Sequence, residues 1–438
     1  MEERQPTVGI FVGGGPAPGI NGVIAAATIE ARNRAWRVLG LYDGLSWLAE
    51  GITTQTRNLR IRDVSRIHGT GGSILRVSRR GNVHEPEIRK RVLAGIKRLG
   101  IDALISIGGD GTASAAAALA REGDGLRVIH VPKTIDNDLP IPGGFSTFGF
   151  QTARHIGVEL VEHLMEDAKT TGRWYLVITM GRDAGHLAMG IGKAAGATVT
   201  VIPEEFDSPR IGIEDLALPI EGAIIRRLSE GRRDGVVVLA EGLARKIDPA
   251  TIVDETCVQR DNQGNLRLSD LPLGNVLRSH LNKTLEARGI DINMTTKVIG
   301  YELRCAPPIP FDTEYTRELG FAAMRAVRKE TPSGVVCRID GRIQVVPFAD
   351  MIDPATGRMP IRMVDTQSES YMVAARYQIR LRKSDLDDPE RRARLALASG
   401  LDEASLVKRF QTIAVKDHWF GEEAHEGLRD DGDGTSRA

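Results

Sequence analysis

Ala103-Leu104-Ile105-Ser106-Ile107-Gly108-Gly109-Asp110-Gly111-Thr112, followed by the alanine-rich stretch 113–120, reads as an apolar strand that passes through glycines and one carboxylate into a helix. A turn of this kind leaves free backbone N–H groups at a helix N-terminus, where a phosphate and its metal are held. A second acidic segment, Pro132-Lys133-Thr134-Ile135-Asp136-Asn137-Asp138, follows the apolar run 128–131. Further strand candidates at 8–12, 37–42, 174–179, 198–202 and 236–239 are separated by helix-like stretches. That alternation is the pattern of βαβ units, so the expected class is α/β with mainly parallel sheets.

The chain has 438 residues, more than one hydrophobic core comfortably takes, so two domains are expected. Lys plus Arg and Asp plus Glu both number 58, giving no net charge and no like-charged block. Nucleic acid and anionic membrane are therefore poor partners. The three cysteines Cys257, Cys305 and Cys337 form no CxxC pair, which speaks against a disulfide framework or a zinc cluster. No apolar run reaches the roughly 18 to 20 residues of a membrane span. The opening Met-Glu-Glu-Arg-Gln-Pro does not read as a secretory leader, and a cytoplasmic location is expected. Ala153, Ile156, Gly157, Leu160, Val161, Leu164 and Met165 recur at helical spacing, so a helix buried on one face is expected there, with a domain boundary near residue 150. Residues 421–438 offer little to bury and read as a frayed tail.

Each candidate group sits where an apolar strand ends. Gly13-Gly14-Gly15-Pro16-Ala17-Pro18-Gly19-Ile20-Asn21 follows the first strand and permits close backbone approach to a phosphate, although such a turn also serves as a plain tight connection. It is not a Walker loop, because no Gly-Lys-Ser/Thr follows. Asp110 reads either as a helix cap or as a carboxylate for a metal-bound phosphate, and its glycine flanks favour the second. Asp136 and Asp138, two residues apart, would project to one side of an extended segment; an Asx-type turn is the simpler alternative. A base that takes a proton from a sugar hydroxyl needs one such carboxylate within hydrogen-bond reach, while a second orients it or holds Mg²⁺. Met180-Gly181-Arg182, Glu241-Gly242 and Tyr301-Glu302-Leu303-Arg304 add groups suited to sugar hydroxyls and phosphate, and 72–80 adds a cationic stretch.

In this order the segments resemble the phosphofructokinase family, from about residue 8 to the Asp312 region. The resemblance implies phosphoryl transfer to the 1-hydroxyl of fructose 6-phosphate with Mg²⁺ and either ATP or pyrophosphate. It implies two Rossmann-like domains with the site in the cleft between them: 1–150 plus about 305–360 for the donor, and 151–304 plus the C-terminal segment for fructose 6-phosphate. Asp136 becomes the base, Asp138 its support, Asp110 the metal-linked carboxylate, and Lys133 and Gly111 the positions that set the donor. Thr134, Ile135, Met180, Gly181, Arg182, Glu241, Tyr301 and Arg304 fall on the sugar phosphate, and Gly14, Gly15, Arg79, Gly109, Asp110, Gly111 and Thr112 on the donor. Arg173 matches an arginine that in bacterial relatives reaches the neighbouring subunit's site, which implies a homo-oligomer, dimer or tetramer.

The two donor positions disagree. Pyrophosphate-dependent members have Asp where Gly111 stands, a carboxylate that would repel the α-phosphate of ATP, whereas Lys133 matches their lysine. The surrounding segments look most like the long pyrophosphate-dependent bacterial branch. Because lysine suits either donor while the missing carboxylate removes a like-charge clash, ATP is the expected donor, with pyrophosphate as the alternative. Ala25 and Ile29 stand where bacterial ATP enzymes carry allosteric arginines, and Thr295-Thr296-Lys297 replaces another arginine, so nucleotide control at that site is not expected. An NAD or lipid kinase would share Gly-Gly-Asp-Gly-Thr but lack the 134–138 and 180–182 segments. A dinucleotide oxidoreductase would need a GxGxxG that is missing, and a non-catalytic paralogue is disfavoured by the retention of Asp110, Asp136 and Arg182.

Overall fold

Residues 4–78, 80–252 and 272–415 are described by the computed structural model. Arg79, Cys257 and the expected tail at 421–438 lie outside them. The strands are β1 (Thr7–Val12), β2 (Arg37–Leu41), β3 (Thr56–Asn58), β4 (Ala103–Gly108), β5 (Arg127–Thr134), β6 (Phe148–Gly149), β7 (Trp174–Thr179), β8 (Val199–Val201), β9 (Gly235–Ala240), β10 (Met294–Ile299), β11 (Gly334–Ile339) and β12 (Arg342–Pro347). They form two sheets. The first, eight-stranded, has the order β12-β11-β5-β4-β1-β2-β3 with β6 added on β5; the second, four-stranded, has the order β10-β7-β9-β8. Pairings are parallel except β2 with β3 and β11 with β12, so the chain is α/β with mainly parallel sheets.

Both faces of each sheet are covered, which is why the central strands read as continuous apolar runs. Val8, Ile10, Val12, Ile105 and Ile107 point into one cluster with the helices Ile20–Asn33 and Pro310–Arg328. Phe11, Leu104 and Val128 point to the opposite face, against Val92, Ile96 and Leu119. The second sheet divides in the same way: Trp174, Leu176 and Ile178 face one cluster, Tyr175 and Val177 the other.

The helix expected over 153–165 runs from Phe150 to Thr171, directly after the edge of the first sheet. Its first N–H groups need partners, and Asp312, wholly buried on the helix Pro310–Arg328, accepts from Gly149 N (2.9 Å), Thr152 N (2.8 Å) and Thr152 Oγ1 (2.6 Å). A distant carboxylate therefore closes the helix where no local cap exists. Strands β3, β6, β10, β11 and β12, absent from the strands read in the sequence, complete the two sheets; β12 holds only exposed and half-buried residues and carries no continuous apolar run.

Candidate active site

Strand order places the site. From β1 the chain goes to β2 on one side and later returns to β4 on the other, so the loops after β1 and β4 diverge and leave a crevice at their C-terminal ends. The glycine turn 13–19 and Gly109-Asp110-Gly111-Thr112 are the walls of that crevice. Asp110 is the first residue of the helix Asp110–Glu122, after Gly109, and therefore sits at a helix N-terminus without acting as its cap.

β5 extends through Thr134, three residues beyond the expected end, so Lys133 and Thr134 lie in the strand. Asn137 then takes a left-handed conformation (φ 57°), and Asp136 N donates to Thr134 Oγ1 (3.0 Å). The extended geometry expected for Asp136 and Asp138 is therefore replaced by a turn, because an Asn tolerates positive φ and its Oδ1 accepts from Thr147 N (3.1 Å). The Ile135 side chain is buried against the cluster containing Ala17 and Phe150 and anchors this turn.

Across the cleft, β7 ends at Met180-Gly181-Arg182. Arg182 also has positive φ (55°), held by Glu241 at the end of β9, whose Oε1 accepts from Arg182 N (2.8 Å) and Gly181 N (3.2 Å). The Arg182 guanidinium reaches all three carboxylates: Nη1 donates to Asp110 Oδ1 (2.9 Å), Nε stands 3.6 Å from Asp136 Oδ2, and Nη1 stands 4.0 Å from Asp138 Oδ2. Arg304 comes from the same half, and a Cβ on Gly15 would lie 2.2 Å from its Nη2, so its guanidinium lies against the glycine turn. Lys133 Nζ donates to the Gly15 carbonyl.

Charge is unevenly spread over these groups. Burial raises the carboxyl pKa of Asp136 against the pull of Arg182. Asp138 is pushed up to about 6 by burial and by the neighbouring Asp136 charge. Burial also works against ionised Asp110, but the Arg182 hydrogen bond and charge outweigh it and hold that carboxyl below the usual range. Two like charges beside each other cannot both ionise freely, whereas the one bonded to a guanidinium can. Glu241 is raised by burial despite its two N–H donors. The Oδ1 of Asp138 is buried without a hydrogen-bond partner among the described residues.

These groups enclose a cavity of about 480 Å³. Of the residues singled out in the sequence, Gly14, Gly15, Gly109, Asp110, Gly111, Thr112, Lys133, Thr134, Ile135, Asp136, Asp138, Met180, Arg182, Glu241 and Arg304 line it. Gly181 shapes the turn from outside the lining. Arg173, 3.8 Å from Asp167, and Tyr301, which is 76% exposed and packs under Arg304, are not brought into it. Leu45, Asn82, Val83, His84 and Arg358 line the cavity as well and carry no motif that reading the sequence would flag. A Cβ on Gly111 would meet nothing within 4 Å, so the wall beside the helix N-terminus is open.

The phosphofructokinase family model matches residues 7–327. The chain is 49% identical to a pyrophosphate–fructose 6-phosphate 1-phosphotransferase of Thermotoga maritima, over 89% of this chain and 94% of that one. It is 31% identical to an ATP-dependent 6-phosphofructokinase of Thermus thermophilus, over 79% of this chain and 94% of that one. A pyrophosphate-dependent phosphofructokinase of Marinobacter aquaeolei superposes with a TM-score of 0.64 at 16% identity, over 84% of this chain and 88% of that one, a likeness of fold.

Proposed function

The chain belongs to the phosphofructokinase family, and from that membership we propose that it transfers a phosphoryl group from pyrophosphate to the 1-hydroxyl of fructose 6-phosphate in the cytoplasm. The observation that carries this reading is the 49% identity with a pyrophosphate enzyme along nearly its whole length, against 31% with an ATP enzyme. It favours the alternative of the sequence reading over ATP. The open space at Gly111 keeps ATP as the second reading, since no carboxylate stands there to repel an α-phosphate.

In this reading the eight-stranded half holds the donor and the four-stranded half the sugar phosphate. Asp136 takes the proton of the 1-hydroxyl as the new O–P bond forms and the bond to the departing phosphate breaks. Its raised pKa suits a base, and its 14% side-chain exposure keeps competing water low. Lys133 stands beside the glycine turn, where a cation offsets charge growing on the leaving phosphate. Arg182, which pairs with the carboxylates, also offers its guanidinium to the transferred group, and Arg304 takes the sugar phosphate.

Mg²⁺ fits this donor set. Among the described residues no cluster of three ligand-type side chains forms a cage, but Mg²⁺ is usually held by one or two carboxylates together with phosphate oxygens and water. Asp110 and the unpartnered Oδ1 of Asp138 are such hard oxygen donors. When bound, the ion neutralises donor phosphate charge. A second copy of the chain is the proposed user of Arg173, which lies outside this cavity, and the functional assembly is then a homo-oligomer.

Purified protein with Mg²⁺ and fructose 6-phosphate tests the reading through formation of fructose 1,6-bisphosphate. A kcat/KM for pyrophosphate at least about tenfold above that for ATP, near 1.4 kcal/mol, is expected. The reverse preference establishes the second reading, and no turnover with either donor sinks both.

A further inference from the structure

The turn that carries Asp136 and Asp138 is held from a place the family match does not reach. Arg362 lies beyond residue 327 and outside the cavity lining. Its guanidinium donates twice to the Asn137 carbonyl, from Nη2 (2.8 Å) and Nε (3.2 Å), and its backbone N–H donates to the Asp138 carbonyl (2.7 Å). These two carbonyls follow the last residue of β5 and have no strand partner. The Arg362 carbonyl in turn accepts from His186 Nε2 (3.0 Å), at the first residue of the helix His186–Ala195 that follows the Arg182 turn. Two residues on, Val364 N donates to Glu204 Oε1 (2.9 Å), the same oxygen that accepts from Gly185 N (2.8 Å). One short segment is thus bonded to the carboxylate turn of the first sheet and to the arginine turn of the second.

We propose that Arg362 is a positioning residue for phosphoryl transfer: it fixes the Asn137–Asp138 backbone against the Arg182 side of the cleft and so sets where the Asp136 carboxylate stands. The geometry suits a fork best, and a single donor serves it in part. A carbonyl oxygen has two lone pairs, and two N–H groups of one planar guanidinium approach it together, whereas a lysine supplies a single rotating donor. With the fork removed, Asn137 keeps its positive φ without its outer anchor, and displacement of the base by about 1 Å costs on the order of a hundredfold in rate. Substrate affinity is not at stake, because Arg362 does not line the cavity.

This inference rests on the proposed reaction, and the parent enzyme's own turnover tests that reaction separately. Against an active parent, steady-state kinetics of Arg362→Ala and Arg362→Lys are compared with melting curves of the same samples. The expected result for Arg362→Ala is a kcat lower by about ten- to a hundredfold with KM for both substrates within threefold, and partial recovery of kcat in Arg362→Lys. A kcat within twofold of the parent, a loss expressed in KM with kcat intact, or a lysine variant no better than alanine overturns the proposal. Should the alanine variant not fold, the lysine variant carries the test alone: an intermediate kcat with unchanged KM supports the proposal, and a parental kcat overturns it.

Discussion

At the scale of single residues, burial set against the Arg182 hydrogen bond decides which carboxylate does what. Asp110 is bonded to Arg182 and stays ionised, whereas Asp136 and Asp138 are raised by burial. Asp136→Asn is therefore expected to retain fructose 6-phosphate binding while turnover falls by about a hundredfold or more, read as kcat against a binding titration. His186 shows the opposite sign of shift: burial, aided by the Arg362 charge, lowers it to about 4 from the ordinary 6.5. Between those values the unfolded chain holds a proton that the folded chain does not, so acidification through this window costs stability. Denaturant midpoints at pH 7 and pH 5 check this: His186→Gln is expected to lose less between them than the parent. Arg182 was visible in the sequence as chemistry and the Asp136–Asp138 segment as an alternative Asx-type turn, but the positive φ of Arg182 was not, since it follows from what Glu241 offers it.

At the scale of elements, the helix Asp110–Glu122 carries the donor question. Its first turn presents N–H groups and the positive end of the helix dipole to the cleft, and position 111 opens into empty space. Gly111→Asp adds a Cβ that meets nothing within 4 Å, so folding is expected to be unharmed. Its effect falls on the donor: kcat/KM for ATP is expected to drop more than that for pyrophosphate, and an equal drop in both would show that the position does not discriminate. The strand ends themselves were legible, because parallel strands buried on both faces are uniform apolar runs and the glycines stop them abruptly. The extension of β5 through Lys133-Thr134 was not, since β6 supplies the pairing from residues 148–149 that no local pattern announces.

At the scale of the whole molecule, residues 369–415 are bound to the four-stranded half through buried charge. Glu221, on the helix Ile213–Ser229 and fully buried, accepts from Arg288 Nη2 (2.5 Å) and from Arg409 Nη2 (2.6 Å) and Nε (2.9 Å). Glu221→Ala would leave Arg409 with Glu214 as its remaining carboxylate and remove the carboxylate that Arg288 pairs with, and a loss of about 3 kcal/mol is expected in chemical unfolding, with turnover of the remaining folded protein little changed. The arginines that fasten this C-terminal segment are indistinguishable in sequence from surface charges. Arg173 and Tyr301 illustrate the reverse: both fit a site by motif, and neither enters the cavity of one chain.

What the sequence determined by itself is everything that depends on neighbours along the chain: the alternation of apolar strands and amphipathic helices, the glycine breaks, and the acidic residues just after them. Gly109, Asp110, Lys133 and Asp136 were readable for that reason. What only the tertiary structure decided depends on groups brought together from distant segments: Arg182 spanning three carboxylates, Asp312 closing a helix it does not belong to, and Arg362 holding the 137–138 carbonyls. Backbone periodicity is local and leaves its mark on the order of residue types. A buried hydrogen bond or ion pair is satisfied by whichever donor the fold delivers, and that choice is made only when the two sheets meet.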